Sequence, residues 1–185
     1  MNERRAFALA LSAALLWQSA ASAVEPGKFA PGRGAVFPPD RMSAFLHPCS
    51  RPAPARVEGA WQPDDAQIAQ MEARMPAAFA DAAWKEVADI GGRLPDPSDY
   101  YRQYVGLVVS GRRVIYTNGF GSFVLQDWGT SAPSIRARLD WHVSVQTLCD
   151  GGMGGFGAQY DVGTRKFREF QFDGCMCRSV SGDAP

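Results

Sequence analysis

The stretch that decides the fold is residues 104–117, which read YVGLVVSGRRVIYT. Its first half alternates in character, with Val105, Leu107 and Val109 on one side and Tyr104, Gly106 and Val108 on the other. A period of two is typical of a β-strand. Ser110-Gly111-Arg112-Arg113 predicts a type II′ turn with glycine at its first central position. Residues 114–117 return as a second strand, which Asn118-Gly119 is expected to end.

Three further strands are predicted downstream of this hairpin. Residues 141–148 form one strand, and residues 155–160 and 166–172 form a second hairpin around the turn 161–164. Residues 119–140 are predicted to be irregular. In the second hairpin, one face is expected to collect apolar side chains from both strands, namely Phe156, Ala158, Tyr160, Phe170 and Phe172.

Residues 64–90 carry the helical pattern. Apolar side chains recur there at intervals of three and four: Ile68, Met71, Met75, Phe79, Ala83, Val87 and Ile90. Asp64 or Asp65 is expected to cap the helix, and Gly91-Gly92 to end it. Because Pro76 lies in the middle, we expect a kink, or two helices with the second starting at Pro76.

These elements predict an α+β fold. One long helix, kinked or divided, packs on a curved antiparallel sheet of about five strands in two layers. Cystatin-like and NTF2-like folds share this outline, and the analogy carries no function.

The N-terminus predicts export. Residues 1–23 combine Arg4 and Arg5, an apolar run and Ala21-Ser22-Ala23, as a cleaved signal peptide does. The run is shorter than the ~20 residues of a membrane span. Residues 24–60 are rich in proline and glycine and predict an arm without helix or central strand. We expect this arm to be flexible before about residue 44 and pinned near Cys49. A single domain, residues 61–178, and a tail, residues 179–185, complete the chain.

The net charge excludes two classes of function. Loss of residues 1–23 removes Glu3, Arg4 and Arg5, which leaves a net charge of about −1. Such a balance argues against nucleic-acid binding and against a basic membrane-surface role. From the predicted signal peptide we expect a periplasmic or secreted protein without a membrane span after cleavage, and no motif indicates a cofactor.

Four cysteines in an exported chain favour two disulfides. A Cys175–Cys177 bond would close a strained ring, so two pairings remain. One pairing joins Cys49 to Cys177 and Cys149 to Cys175, and the other exchanges the last two partners. A copper site built from Cys49, Cys175, Cys177 and His47 is the competing hypothesis.

Several segments together resemble a group of exported bacterial proteins of unknown function. They are residues 100–106 (YYRQYVG), residues 113–118 (RVIYTN), Cys149-Asp150-Gly151-Gly152, Phe156-Gly157 and Tyr160-Asp161. The resemblance covers roughly residues 61–174. It implies one domain and no particular activity.

Two sets of residues are candidates for a site. The binding set joins exposed aromatic residues to a glycine-rich loop: Tyr100, Tyr101, Trp128, Asp150, Gly151 and Gly152. The weaker, catalytic set is His142, Asp150 and Asp161, for which no nucleophile motif is present.

The first functional hypothesis is a non-enzymatic binding module, such as an inhibitor or immunity-type protein that acts on another exported protein. The alternatives are an exported hydrolase of cell-wall or glycan material and a copper-handling protein.

Overall fold

The computed structural model describes residues 30–90, 94–125 and 140–174, and these confirm the α+β class. The strands are β1 Gly34–Val36, β2 Val57–Trp61, β3 Tyr100–Val109, β4 Arg112–Gly121, β5 Gly155–Asp161 and β6 Lys166–Phe172. The α-helices are α1 Asp65–Glu72 and α2 Met75–Ile90. Short 3₁₀ segments lie at Pro39–Phe45, Pro97–Asp99, Ser122–Leu125 and Gly152–Gly154.

The six strands form one mixed sheet. β3, β4, β5 and β6 follow one another as antiparallel neighbours. The other side of β3 is shared by two short strands: β1 pairs with it in parallel, and β2 pairs with it antiparallel further along. The prediction of a purely antiparallel sheet is therefore wrong. β1 and all of β2 except Trp61 lie in residues 24–60, the arm that was predicted to have no helix and no central strand. Both are edge strands, each paired with β3 among the described strands.

The central hairpin forms as predicted, with two differences. Its loop is Ser110-Gly111, and both residues have positive φ, 48° and 72°. Positive φ at both central positions defines a type I′ turn, so the type II′ prediction is wrong. β4 also continues through Asn118-Gly119 to Gly121, because β3 offers partners as far back as Tyr100.

The helical region consists of two helices. Asp64 and Gln67 form a capping box at the start of α1, in which each side chain accepts a hydrogen bond from the other residue's backbone N–H. α1 ends at Glu72, and α2 begins at Met75. Proline is tolerated in the first turn of a helix, where its missing N–H has no intrahelical partner. Pro76 therefore marks the start of a second helix, and a single continuous helix is wrong.

The helices cover one face of the sheet, which we call the helix face. Met71, Met75, Phe79 and Ala83 of the predicted stripe are buried there. Phe156 stacks on Phe170 with ring centroids 4.8 Å apart, and Ala158, Tyr160 and Phe172 join the same cluster. The predicted face of the second hairpin is thus confirmed.

The opposite face, which we call the arm face, has a core of its own. The arm lays Ala35, Phe37 and Phe45 against side chains of β3 and β4. Those side chains are Val105, Leu107, Val114, Tyr116 and Phe120, and Trp141 packs beside them. The two-layer prediction is wrong, because the arm and the segment around Trp141 add a third layer. Within the described residues the arm is structured from Gly34 to Phe45, where flexibility was expected.

The contact between β2 and β3 depends on a glycine. A Cβ on Gly106 would lie 2.3 Å from the carbonyl oxygen of Trp61 and 2.9 Å from its ring. We expect Gly106→Ala to lower the free energy of unfolding by about 1–3 kcal/mol, since overpacking costs that much. Urea denaturation measures the change. Gly59→Ala is the matched control, because a Cβ there meets nothing within 4 Å. Equal losses in both variants would contradict this account.

Candidate functional site

Two buried amide side chains occupy the middle of the arm face. Gln103 of β3 and Asn118 of β4 are register partners, and we call them the amide pair. Nδ2 of Asn118 donates to Oε1 of Gln103 at 2.9 Å and to the carbonyl of Gln146 at 2.9 Å. The amide pair thereby links the sheet to a chain segment that packs on it.

That segment, residues 140–150, is called here the 140s loop. Nε2 of Gln103 donates to the carbonyls of Trp141 and Ser144, at 2.6 and 2.8 Å. The backbone N–H of Gln146 donates to Oε1 of Gln103 at 2.9 Å. Residues 141–148 contain no strand, so the strand predicted there is wrong. Side-chain amides satisfy buried backbone groups that a neighbouring strand would otherwise satisfy.

A buried ion pair lies next to the amide pair and bonds to it. Nη1 of Arg51 pairs with Asp173, Nη2 donates to Oδ1 of Asn118, and Nε donates to the hydroxyl of Tyr116 at 3.3 Å. The Arg51 and Asp173 side chains are only 6% and 0% exposed. Burial raises the pKa of Asp173 above its ordinary value, and Arg51 opposes the shift. The pair joins the arm to the end of β6.

Glycines on β5 make room for the pair. A Cβ on Gly157 would lie 2.5 Å from Nε of Arg51, and one on Gly155 would lie 2.1 Å from Oδ2 of Asp173. The two glycines alternate along β5 and so face the same side of the sheet. They leave a groove in which a salt bridge replaces apolar packing.

The disulfide joins Cys49 to Cys149, and both predicted pairings are wrong for these two residues. The partners are 100 residues apart in sequence. Their neighbours already meet, because the N–H of Asp150 donates to Oγ of Ser50 at 2.6 Å. The prediction failed because the sequence gave no sign that the arm and the 140s loop are adjacent. Cys175 and Cys177 lie outside the described residues.

A small depression lies beside the disulfide. Its lining includes His47, Cys49, Arg51, Asn118 and Gln146, and its volume of about 10 Å³ has room for about one water molecule. Cys49 is a half-cystine here, so its sulfur is not available as the thiolate ligand that the copper hypothesis needs. No cluster of three or more His, Cys, Asp or Glu side chains suited to a metal occurs among the described residues.

The catalytic candidates lie apart, His142 and Asp150 near opposite ends of the 140s loop and Asp161 on β5, and each has local partners. His142 is exposed, with Nδ1 3.4 Å from Asp140 and its ring 3.9 Å from that of Trp141. Asp161, at the end of β5, pairs with Arg168 at 2.9 Å and accepts the N–H of Thr164. Asp150 is exposed beside the disulfide. Each of the three has a structural contact of its own.

The three aromatic candidates differ in their surroundings. Tyr100 and Tyr101, which were expected to be exposed, are the first two residues of β3. Tyr100 is buried, its hydroxyl donates to the carbonyl of Met153, and burial raises its pKa well above the ordinary value. An exposed role for Tyr100 is therefore wrong. Trp128 lies outside the described residues.

Tyr101 forms part of an exposed surface. Its half-buried ring stacks on Phe120, with centroids 5.8 Å apart, and lies 4.9 Å from the ring of Trp141. The guanidinium of Arg33 lies over it at 4.8 Å. His142 and Val143, which is 53% exposed, continue the surface from Trp141. We call Arg33, Tyr101, His142 and Val143 the platform.

The glycine-rich segment is a packed turn. A Cβ on Gly151 would lie 2.2 Å from Leu148, and Gly152 has a φ of 52°. Asp150 also has positive φ, 54°. The glycines therefore allow close packing and a left-handed backbone beside the disulfide.

Sequence reasoning missed the amide pair and Arg51. One signal was present: Gln103 occupies the same face of β3 as Val105 and Leu107, so it interrupts an apolar row with an amide. A polar side chain at a core position needs hydrogen-bonding partners. The identity of those partners depends on tertiary contacts.

Comparisons with known proteins add no assignment. No protein-family model, curated protein or solved structure matches the chain. Among the described residues, no helix has the combined length and apolar character that crossing a membrane requires.

The role of Gln103 can be tested by substitution. Gln103→Leu leaves buried partners in the 140s loop without hydrogen bonds, at about 1–3 kcal/mol for each group. We expect a loss of at least about 2 kcal/mol in the free energy of unfolding, measured by urea denaturation. Gln171→Leu, at an exposed position of β6, is the control and should change little. A Gln103→Leu variant as stable as the control would contradict the role of the amide pair.

The buried ion pair should impose a pH dependence. Because the pKa of Asp173 is higher in the folded state than in the unfolded state, protonation of Asp173 stabilises the fold. This stabilisation is complete below the unfolded pKa and is lost as the pH rises through the folded pKa. The free energy of unfolding of the wild type, relative to Asp173→Asn, should increase as the pH falls from 7 to 3. Denaturant titrations at each pH measure it.

Asp81→Asn is the matched control, because it makes the same substitution in an exposed ion pair with Lys85, and exposed pairs contribute little to stability. A wild type that loses stability relative to Asp173→Asn on acidification would show that Arg51 outweighs burial.

Proposed function

We propose that the mature chain is an exported, non-enzymatic binding module whose partner is another exported protein. The observation that carries this proposal is the platform, where the guanidinium of Arg33 lies over the ring of Tyr101, and Trp141 joins that ring to the part of the 140s loop that exposes His142 and Val143. Tyrosine and arginine are enriched where protein interfaces concentrate their binding energy. Within this proposal we favour an inhibitor or an immunity-type protein.

The support beneath the platform favours binding by a preformed surface. Trp141 and Ser144 lie on either side of His142 and Val143, and their carbonyls accept the two hydrogen bonds from Gln103. Arg41 adds a third tie, because its Nη2 donates to the carbonyl of Val143 at 2.8 Å. A surface ordered before binding loses less conformational entropy when a partner docks.

The charges near the platform suggest the chemistry of the partner. Arg33 and the exposed Arg41 place two guanidinium groups close to Tyr101 and Val143. Guanidinium groups pair well with carboxylates. We therefore propose a partner surface that combines an apolar side chain with acidic residues.

The proposed export of the protein is supported by observations other than the platform. A disulfide between Cys49 and Cys149 is compatible with the oxidising compartment that residues 1–23 predict. The resemblance to exported bacterial proteins and the cystatin-like or NTF2-like outline stay predictions from the sequence.

The experiment compares two single variants as baits in periplasmic extract. Val143→Asp adds a like charge to the acidic partner surface and removes apolar contact area. We expect the wild type to retain one specific protein, and Val143→Asp to bind that protein at least about tenfold more weakly by calorimetry.

Trp84→Ala is the matched control, because Trp84 is 61% exposed on α2 at the helix face. It should retain the partner with unchanged affinity. Retention of the same protein by Val143→Asp at wild-type affinity would overturn the platform. Failure of the wild type to retain any specific protein would count against the binding module itself.

A further inference from the structure

A cluster of positive charge lies at the end of β3 and β4 opposite the platform. We call it the basic cluster. It consists of four exposed side chains beside the β3–β4 and β5–β6 turns, those of Arg112, Arg165, Lys166 and Arg168. The carboxylates that accompany them are those of Asp161 and Glu169, so four cations and two anions leave a local charge of +2. The near-zero net charge of the whole chain conceals this local excess.

One buried carboxylate brings two of these arginines together. Nη1 of Arg112 lies 3.6 Å, and Nε of Arg168 lies 2.9 Å, from the same oxygen, Oδ2 of Asp161. The Asp161 side chain is only 4% exposed, whereas those of Arg112 and Arg168 are 52% and 44% exposed. Asp161 is itself held in place, because its Oδ1 accepts the N–H of Thr164 at 2.9 Å. Two guanidinium groups that share one carboxylate therefore keep an excess of positive charge at the surface.

These contacts leave the N–H groups of the two arginines available. Oδ2 of Asp161 accepts no hydrogen bond within the described residues, so both contacts are ionic and lack hydrogen-bond geometry. Over the same part of the chain, neither guanidinium group donates a hydrogen bond. A guanidinium has five N–H donors in a planar fork that matches the oxygens of a phosphate. Both groups can therefore donate to an anion that approaches from the solvent.

The pairing of β5 with β6 adds a third cation to the same face. Lys166 is the register partner of Asp161, and directly paired residues of two strands share a face of the sheet. The register shifts between Gln159 and Tyr160, which leaves Arg168 as the extra residue of a β-bulge. Bulges re-aim side chains and are over-represented beside active sites. Here the bulge accompanies the contact between Arg168 and Asp161.

We propose that Arg112, Lys166 and Arg168 form a binding site for a phosphate monoester. A monoester carries a charge of about −1.5 to −2 at neutral pH, which matches the local charge of the basic cluster. A phosphodiester carries only about one negative charge. Arginine binds phosphate through parallel N–H donors, and lysine binds it as a point charge. Because Asp161 already holds the two arginines, less conformational entropy is lost when the ligand binds.

The proposal is independent of the platform and of the protein partner proposed for it. Its ligand is defined by chemistry, since a soluble phosphorylated molecule and a lipid headgroup present the same group. Longer clusters of basic residues recognise anionic membranes through their total charge. The basic cluster differs, because its charge is concentrated around a single buried carboxylate.

The test titrates the mature chain with methyl phosphate and, separately, with dimethyl phosphate. Above its second pKa of about 6 the monoester is a dianion, whereas the diester stays a monoanion. Both titrations are run at about pH 7.5 and at an ionic strength of about 0.15 M, at which long-range attraction is screened. The Nε–H signals of Arg112 and Arg168 are followed by NMR. We expect methyl phosphate to shift both signals saturably and to bind at least about tenfold more tightly than dimethyl phosphate.

Arg112→Gln should weaken the binding of methyl phosphate at least about tenfold, because it removes a charged hydrogen-bond donor. Arg113→Gln is the matched control, since it removes the same charge from the next residue of β4. Successive side chains point to opposite faces, and the guanidinium of Arg113 lies 3.8 Å over the ring of Trp61 on the helix face. Its affinity should stay within about twofold of the wild type. Lys166→Gln should weaken binding as Arg112→Gln does, and it leaves the ion pairs of Asp161 intact.

Cosedimentation with phosphatidylcholine vesicles that contain phosphatidic acid identifies the source of the phosphate. Retention on these vesicles, but not on vesicles with phosphatidylglycerol, would support a lipid headgroup. Binding of methyl phosphate without retention on vesicles would support a soluble ligand. The proposal is overturned if methyl phosphate shifts neither arginine signal saturably or binds no more tightly than dimethyl phosphate. Equal losses of affinity in Arg112→Gln and Arg113→Gln would also overturn it, since they would reflect total charge and not a site.

Discussion

The hydrogen bonds of the Gln103 and Asn118 side chains hold the third layer of the molecule to the sheet. An apolar sheet face could not accept the 140s loop, since the loop's backbone N–H and carbonyl groups would be buried without partners. The amide pair supplies those partners at the middle of β3 and β4, and the bonds to Trp141, Ser144 and Gln146 fix the course of the chain. The same hydrogen bonds hold His142 and Val143 of the platform in place.

The ion pair and the disulfide depend on the same arrangement. Arg51 reaches Asn118 and Asp173 across the groove left by Gly155 and Gly157, so the arm, the sheet and the end of β6 meet at one point. The disulfide then joins the arm to the loop that the amide pair has already placed beside it. The disulfide, the ion pair and the amide pair therefore stabilise the same region of the arm face.

The sequence predicted the parts of the fold that follow from local periodicity. The central hairpin, the second hairpin and the division of the helices near Pro76 depend on alternation, apolar spacing and proline chemistry, all of which are visible in one segment at a time. The parallel pairing of β1, the Cys49–Cys149 bond and the 140s loop depend on contacts between distant segments. Residues 141–148 alternate like a strand, yet the hydrogen bonds that hold them to the sheet come from the side chains of the amide pair, which periodicity cannot show. Tyr101 was a candidate from the start, whereas Arg51 and the amide pair emerge only from their tertiary partners.

The central claim is that the amide pair orders a loop without regular secondary structure as firmly as a strand. Native-state hydrogen exchange of the Gln146 amide tests it most directly, because that N–H bonds to the side chain of Gln103. We expect Gln146 to exchange as slowly as the buried amides of β4, with the free energy of global unfolding. Exchange of Gln146 at the rate of an exposed loop amide would contradict the account.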